Sequence, residues 1–340
     1  MESQGQERFE ITEDDINEVM TAEDPNGLNE TIPTIPVEKK PTVVITIGMA
    51  GSGKSTFSQR MQKYTFDNQI NSYYINLDPA VVDLGFEPNL DIRDTLDYKK
   101  IMTEYKLGPN GAIMTCLNLF ATQLEEVLTF IDKRAEELEY VFIDTPGQIE
   151  MFTWSASGQI IAELFSGSYP TVAAFIVDSV RCRSPITFSS CLFYASSILY
   201  RMNLPLLLAF NKSDLQDSKM LLEWMQNPFA FWEALDKTDS YMGVFARSQS
   251  LLLEAFYENI PTATMSSITG AGVDSVFQAF DAQREVFIKD YLPAIQEKQD
   301  KIKQARDRKE KTRIQLEIEK ISKDMSTMGI KVEGTLEDID

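Results

Sequence analysis

The sequence predicts an α/β protein of three layers, in which a mostly parallel β-sheet is covered by helices on both faces. From Thr42 onward, short apolar runs alternate with longer segments of helical character. Strands joined by right-handed helical crossovers give this alternation, because both faces of each strand are then buried. The predicted strands, in chain order, span residues 42–47, 73–77, 140–143, 172–177, 204–210 and 262–265.

Composition narrows the classes of chemistry and partner. The chain has 340 residues, no histidine and a net charge of -20, so histidine acid–base catalysis is excluded. The negative charge argues against direct binding to nucleic acid, because it repels phosphate backbones. The cysteines, Cys116, Cys182 and Cys191, lack paired spacing, which indicates neither disulfides nor zinc and fits a reducing compartment.

The chain divides by composition into a central domain and two charged extensions. Residues 1–40 are rich in Glu, Asp, Thr and Pro and are predicted to form a flexible acidic extension. Residues 41–292 are predicted to form one domain with helical insertions at about 80–138 and 215–260, intervals too long for simple crossovers. Residues 293–340 are predicted to be a charged helical tail, either a solvated helix or a helix that binds a partner.

Helical segments within these intervals include residues 117–134 and 221–232. The apolar stretch 191–210 is interrupted by Arg201 and Pro205, so we interpret it as a buried helix followed by a buried strand. The N-terminus is acidic and has no apolar stretch behind it. We therefore expect no membrane contact and a location inside the cell.

The first predicted strand leads into a phosphate-binding loop. Residues 48–55 match the pattern G-x-x-x-x-G-K-S between a strand and a helix, which predicts a P-loop NTPase. Glycines let backbone N–H groups point at phosphate oxygens, Lys54 is expected to bridge the terminal phosphates, and Ser55 to hold Mg²⁺. The residues predicted to contact the nucleotide here are Gly48, Met49, Ala50, Gly51, Ser52, Gly53, Lys54, Ser55 and Thr56.

The third predicted strand runs into a D-x-x-G sequence, Asp144 to Gly147. Asp144 is a candidate magnesium residue, and the Gly147 N–H a candidate sensor of the γ-phosphate. Gln148 and Glu150 would then face the attacking water. The sequence D-x-x-G alone is more often a turn, but behind a P-loop it predicts a switch.

The sequence N-K-x-D follows the fifth strand as Asn211, Lys212 and Asp214. The carboxylate of Asp214 can accept hydrogen bonds from the N1–H and the amino group of guanine, whereas adenine lacks this pair of donors. GTP is therefore predicted over ATP. Ser266 and Ser267 are either a backbone contact to the guanine oxygen or ordinary turn residues.

Further motifs resemble the GPN-loop GTPases over about residues 42–290. They are Asn76-Leu77-Asp78-Pro79-Ala80, Leu107-Gly108-Pro109-Asn110-Gly111, the segment from Asp144 to Glu150, and Trp154-Ser155-Ala156-Ser157-Gly158. Methionine at position 49 is unlike the dimeric ATPases whose P-loop carries an extra lysine there.

The resemblance implies a constitutive dimer in which Gly108, Pro109 and Asn110 of one protomer reach toward the nucleotide of the other. Asn110 would stabilise charge on the transferring phosphoryl group, and Asp78, Gln148 and Glu150 would position the water. Without the resemblance, residues 108–111 would be interpreted as a turn.

The resemblance also implies a biological role, since the sequence is most similar to family members implicated in RNA polymerase II assembly and nuclear import. The expected partners are a second copy or a GPN-loop paralogue, and polymerase subunits or assembly chaperones. The expected location is the cytoplasm, with shuttling to the nucleus. Two alternatives stay open: a scaffold held together by GDP or GTP with little turnover, and a P-loop kinase, which N-K-x-D disfavours.

Overall fold

The computed structural model describes residues 36–237, 241–252, 260–298 and 301. Seven strands form one sheet in the order β3-β2-β4-β1-β5-β6-β7, and every described pair is parallel. This confirms the predicted α/β class. The strands are β1 (Thr42–Gly48), β2 (Ser72–Asn76), β3 (Leu90–Asp91), β4 (Tyr140–Asp144), β5 (Thr171–Asp178), β6 (Leu206–Asn211) and β7 (Thr262–Thr264).

Helices connect the strands, with short 3₁₀ turns at Val37–Lys39 and Arg181–Arg183 and a π-helical turn at Phe287–Tyr291. The α-helices are α1 (Lys54–Asp67), α2 (Ile92–Thr95), α3 (Tyr98–Glu104), α4 (Pro109–Thr122), α5 (Leu124–Asp132), α6 (Ile149–Thr153), α7 (Ala156–Ser168), α8 (Pro185–Met202), α9 (Lys219–Gln226), α10 (Pro228–Asp236), α11 (Tyr241–Leu252) and α12 (Val273–Val286).

The sheet is buried on both faces, which explains why its strands are continuous apolar runs. Every residue of β1 is buried. On one face, Phe142 of β4 lies against Phe277 of α12, with 6.2 Å between ring centroids. On the other, Phe210 of β6 lies 6.3 Å from Phe188 of α8. Helix, sheet and helix are therefore the three predicted layers.

The structure divides the helices predicted within the insertions. Segment 117–134 becomes α4 and α5, which meet at Gln123. Segment 221–232 is broken at Asn227, because Pro228 lacks an N–H and disfavours helical geometry in the residue before it. The side chain of Asn227 caps α10 by accepting from Phe229 N over 3.1 Å. The edge strand β3 was not predicted, since two residues give no apolar run.

The folded domain begins before the predicted boundary at residue 41. Nη1 of Arg284 donates to Lys40 O over 2.9 Å, and Lys40 Nζ pairs with Asp132 Oδ1 over 2.6 Å. Residues 36–40 therefore contact the domain. The rest of the predicted N-terminal extension, residues 1–35, and the tail beyond residue 301 lie outside the described residues.

The stretch 191–210 forms the end of α8 followed by most of β6, as predicted. Along the described ranges, no helix is long and apolar enough to cross a membrane.

Candidate nucleotide-binding site

The predicted motifs meet at one edge of the sheet. The P-loop follows β1, Asp78 follows β2, the D-x-x-G sequence begins at the end of β4, and N-K-x-D begins at the end of β6. In a parallel sheet all of these strand ends lie on the same side, which is where ligands bind in open α/β folds. The topology therefore collects residues from four distant segments.

The P-loop adopts a backbone that requires glycine at its first position and at the position before Lys54. A Cβ atom on Gly48 would lie 2.7 Å from Ile176 O, so the loop leaves β1 against its neighbouring strand. Gly53 has φ 96°, and a Cβ atom there would lie 2.6 Å from Asn211 Nδ2. Helix α1 begins at the next residue, Lys54, and points its N-terminus at the loop.

Lys54 joins the P-loop to the D-x-x-G segment. Its ammonium donates to Gly48 O over 2.7 Å, to Met49 O over 3.3 Å and to Gly147 O over 3.2 Å. Burial lowers the pKa of Lys54, while Asp144, Asp78 and Glu150 act in the opposite direction. One cation is thus surrounded by carbonyls and carboxylates at the position predicted for the terminal phosphates.

The environment of Asp144 shows whether the residues of the site could hold Mg²⁺. Its Oδ1 atom is buried and has no hydrogen-bond partner among the described residues. The pKa of this carboxyl is raised to about 7, mainly by burial, which outweighs the lowering effect of Lys54; Asp78 adds a smaller upward effect. A buried carboxylate oxygen without a partner costs free energy unless a cation or water satisfies it. The donor set is therefore suitable for a hard cation.

Ser55, the other candidate magnesium residue, lies in the first turn of α1. The described residues contain no group of three or more acidic or cysteine side chains that could hold a metal alone. That agrees with the chemistry of Mg²⁺, which usually keeps several waters and takes phosphate oxygens together with one or two protein ligands. Ser55 and Asp144 fit such a site.

Asp78 contacts the predicted γ-phosphate sensor. Its Oδ2 accepts a hydrogen bond from Gly147 N over 2.9 Å, and its Oδ1 accepts from Ala80 N over 3.0 Å. Gln148 and Glu150 are exposed immediately after Gly147, at the start of α6. The structure therefore brings all three candidates for positioning water to the end of β4.

The Gly108-Pro109-Asn110 segment forms the start of α4 rather than a free turn. Gly108 is the N-cap and Pro109 the first helical residue, a position that suits proline because no hydrogen bond is lost there. Asn110 is exposed. Within the described part of the chain, no hydrogen bond links Asn110 to the P-loop.

The side chain of Asn211 connects three loops. It donates from Nδ2 to Ser52 O over 3.0 Å and accepts at Oδ1 from Ser267 N over 3.0 Å and Ser267 Oγ over 2.9 Å. Lys212 N also donates to Oδ1, over 2.8 Å. Asn211 is buried, and its hydrogen bonds fix the P-loop relative to the loops that follow β6 and β7.

Asp214 is exposed and oriented by a serine. Ser266 Oγ donates to Asp214 Oδ1 over 2.5 Å. The backbone N–H of Ser266 donates to Ala271 O over 2.9 Å, and that of Ser267 donates to Asn211. Both predicted backbone N–H donors to guanine thus already bond to groups of the protein. Either N–H would have to give up that bond before it could donate to a base.

Sequence reasoning missed two charged residues near the P-loop, Asp178 and Arg181, although it predicted their neighbour Lys212. Lys212 Nζ donates to Gly51 O over 2.7 Å and to Asp178 Oδ2 over 2.7 Å. Arg181 donates from Nη1 to Ala50 O over 3.0 Å. An aspartate at the end of an apolar run, here β5, was a signal that could have indicated Asp178.

Comparisons with known proteins agree with this geometry. A family model described as "Conserved hypothetical ATP binding protein" matches residues 46–286. A GPN-loop GTPase of Arabidopsis thaliana is 52% identical over 245 residues, covering 72% of this chain and 65% of the relative. GPN-loop GTPase 1 of Schizosaccharomyces pombe is 41% identical over 306 residues, covering 87% and 83%.

A solved structure also matches, the apo form of a GTPase from Pyrococcus abyssi. It superimposes with a TM-score of 0.63 at 26% sequence identity, over 73% of this chain and 98% of that one. The family description names ATP, whereas these relatives are named GTPases. The oriented carboxylate of Asp214 agrees with the second description, because adenine offers it no pair of donors.

Proposed function

The chain belongs to the GPN-loop GTPases, and on this basis we propose that it is a dimeric GTPase acting as an assembly factor in RNA polymerase II biogenesis and nuclear import. The observation that carries the enzymatic part is the junction at Gly147. Its carbonyl accepts from Lys54 and its N–H donates to Asp78. The phosphate-binding loop and two candidate switch segments therefore meet at one residue.

Hydrolysis at this site rests on positioning and charge. Phosphoryl transfer spreads negative charge over the equatorial oxygens, so fixed donors stabilise it more than covalent chemistry does. Lys54 supplies a buried ammonium, and the P-loop supplies backbone N–H groups. Ser55 and Asp144 would hold Mg²⁺, which neutralises phosphate charge when bound. Asp78, Gln148 and Glu150 would orient the attacking water.

The remaining donor comes, in this proposal, from a second protomer. Asn110 is exposed at the start of α4 and has no hydrogen bond to its own P-loop among the described residues. A side chain carried on a helix terminus of a partner can reach a nucleotide that its own chain does not approach. The partner is a second copy or a GPN-loop paralogue.

The proposed clients are RNA polymerase II subunits or assembly chaperones, on the strength of the motif resemblance. The net charge of -20 favours contact with protein surfaces over direct contact with nucleic acid. A nucleotide-dependent change in the segment after Asp144 would alter the affinity for a client protein. The proposed location is the cytoplasm, with shuttling to the nucleus.

The enzymatic proposal is tested by phosphate release from GTP and ATP in magnesium at several protein concentrations. We expect release that is selective for GTP, is abolished by magnesium chelation or by Lys54→Met, and rises per chain as dimers form. Tight GTP binding without release at any concentration would instead favour a scaffold held together by its nucleotide.

The client proposal needs a separate experiment. Tagged chain would be purified from nuclease-treated lysate with GDP or a non-hydrolysable GTP analogue, and the eluate probed for RNA polymerase II subunits. We expect nuclease-resistant retention that differs between the two nucleotides. Depletion of the protein should leave polymerase subunits in the cytoplasm, and normal nuclear polymerase after depletion would refute this role.

A further inference from the structure

Arg60 of α1 contacts the loop that follows β7, the same loop that contacts the N-K-x-D sequence. Its Nε donates to Ser267 O over 2.7 Å, and its Nη2 donates to Ile268 O. The guanidinium is planar and presents its donors in a fixed fork. Two successive carbonyls are therefore held in one orientation by a residue of the helix that begins at the P-loop.

The same short loop positions the residues that read the base. Ser266 Oγ donates to Asp214 Oδ1 over 2.5 Å, and both the N–H and the hydroxyl of Ser267 donate to Asn211 Oδ1. Side chains of the loop thus hold the N-K-x-D sequence, while Arg60 holds the loop's carbonyls. Movement of the loop would displace Asp214.

The loop is shaped around the guanidinium. Gly270 has φ 85°, and a Cβ atom there would lie 3.2 Å from Arg60 Nη1. Gly270 N donates to Ser266 O over 2.8 Å and closes the turn. Ile268, at the tip, is 66% exposed. Ser266 and Ser267 are buried, so packing restrains the start of the loop, but it does not restrain the exposed tip. Arg60 supplies a hydrogen bond to the tip at Ile268 O and a second to the adjacent Ser267 O.

We infer that Arg60 is a specificity-positioning residue, which sets the preference for guanine through the Ser266 contact with Asp214. The inference rests on the proposed binding of guanine nucleotide. Asp214 accepts from the N1–H and the 2-amino group of guanine only while its carboxylate is correctly aimed. Without Arg60 the loop loses an anchor, so the base contact weakens while the contacts of Lys54 with the P-loop stay intact.

The test compares affinities for GDP and IDP, which differ only in the 2-amino group of the base. Both are measured on the full chain by competition with a fluorescent GDP. The ratio of the two dissociation constants reports the Asp214 contact, since phosphate binding cancels. We expect Arg60→Met to lower the preference for GDP about tenfold, equivalent to about 1.4 kcal/mol.

Lys63→Met is the matched control. Lys63 is exposed on the same helix, and its substitution removes the same charge and leaves a similar stem. It should keep the ratio of the unmodified chain. Arg60→Lys keeps the charge but cannot reproduce the planar fork, so we expect it to lower the ratio as well, which provides a second variant should Arg60→Met fail to fold.

A double-mutant cycle locates the route of the effect. Ser266→Ala should lower the GDP-to-IDP preference, and adding Arg60→Met should lower it little further, because both changes act on one contact. An equal loss of affinity for GDP and IDP in both Arg60 variants would overturn the inference. An unmodified chain that does not prefer GDP over ADP would refute guanine binding itself, which is a different failure.

Discussion

The Asp78 carboxylate accepts a hydrogen bond from Gly147 N over 2.9 Å, although the two residues are 69 positions apart in the chain. The segment after β2 and the segment after β4 are therefore joined at the end of the sheet. Lys54 contacts the carbonyl of the same glycine. A ligand that changes the environment of Gly147 must act on both segments together.

Replacing Asp78 with asparagine should slow hydrolysis while sparing binding. The amide can still accept one hydrogen bond, but it carries no charge to orient water or take its proton. We expect single-turnover phosphate release to fall about 100-fold or more, with GDP affinity nearly unchanged. Asp83→Asn is the control, since Asp83 is exposed in the same segment and accepts a hydrogen bond from Gly85 N. Full activity in Asp78→Asn would remove Asp78 from the mechanism.

Asn110 can be assigned to its own or the opposite site by mixing two inactive variants. Asn110→Ala keeps its P-loop, and Lys54→Met keeps Asn110. In the proposed dimer the P-loop of the first variant would face Asn110 of the second, so we expect phosphate release to reappear in the mixture. Asn118→Ala, on the exposed side of α4, should be active alone. A mixture as inactive as its components would place Asn110 in cis, and full activity of Asn110→Ala alone would place it outside the site.

Asp214→Asn should shift the base preference of the site from guanine toward xanthine. Xanthine carries a carbonyl where guanine has its 2-amino group, so an amide donor can pair with it. We expect GDP affinity to fall by the equivalent of a charged hydrogen bond, about 1.5–3 kcal/mol, and XDP affinity to rise. Competition against fluorescent GDP measures both. Asp217→Asn, exposed in the same loop, should leave the preference for GDP intact.

Two glycines should respond differently to alanine. At Gly53, φ is 96° and the new Cβ would approach Asn211 Nδ2 to 2.6 Å, so Gly53→Ala should cost about 1–3 kcal/mol of stability. At Gly108 no atom of the described residues lies within 4 Å of the new Cβ, so the change should cost only the weaker N-cap propensity of alanine, less than about 1 kcal/mol. Thermal unfolding of both variants checks the pair, and similar losses would contradict it.

Much of the site was predictable because its motifs are local. A P-loop needs its glycines, lysine and serine at fixed offsets, and buried parallel strands need apolar residues at nearly every position. Helix ends were less predictable. The break at Asn227 depends on a proline that can either begin a helix or interrupt one, and the apolar pattern continues on both sides of it.

The sequence by itself determined the class of fold, the order of the motifs and the residue types expected to contact guanine, because each depends on residues close together in the chain. Only the tertiary structure decided that Asn211 connects loops, that Asp178 binds Lys212 and that Arg60 holds the loop after β7. Those contacts join segments far apart in the chain. The sheet order brings the segments together, and periodicity along a single segment carries no information about which side chains will meet.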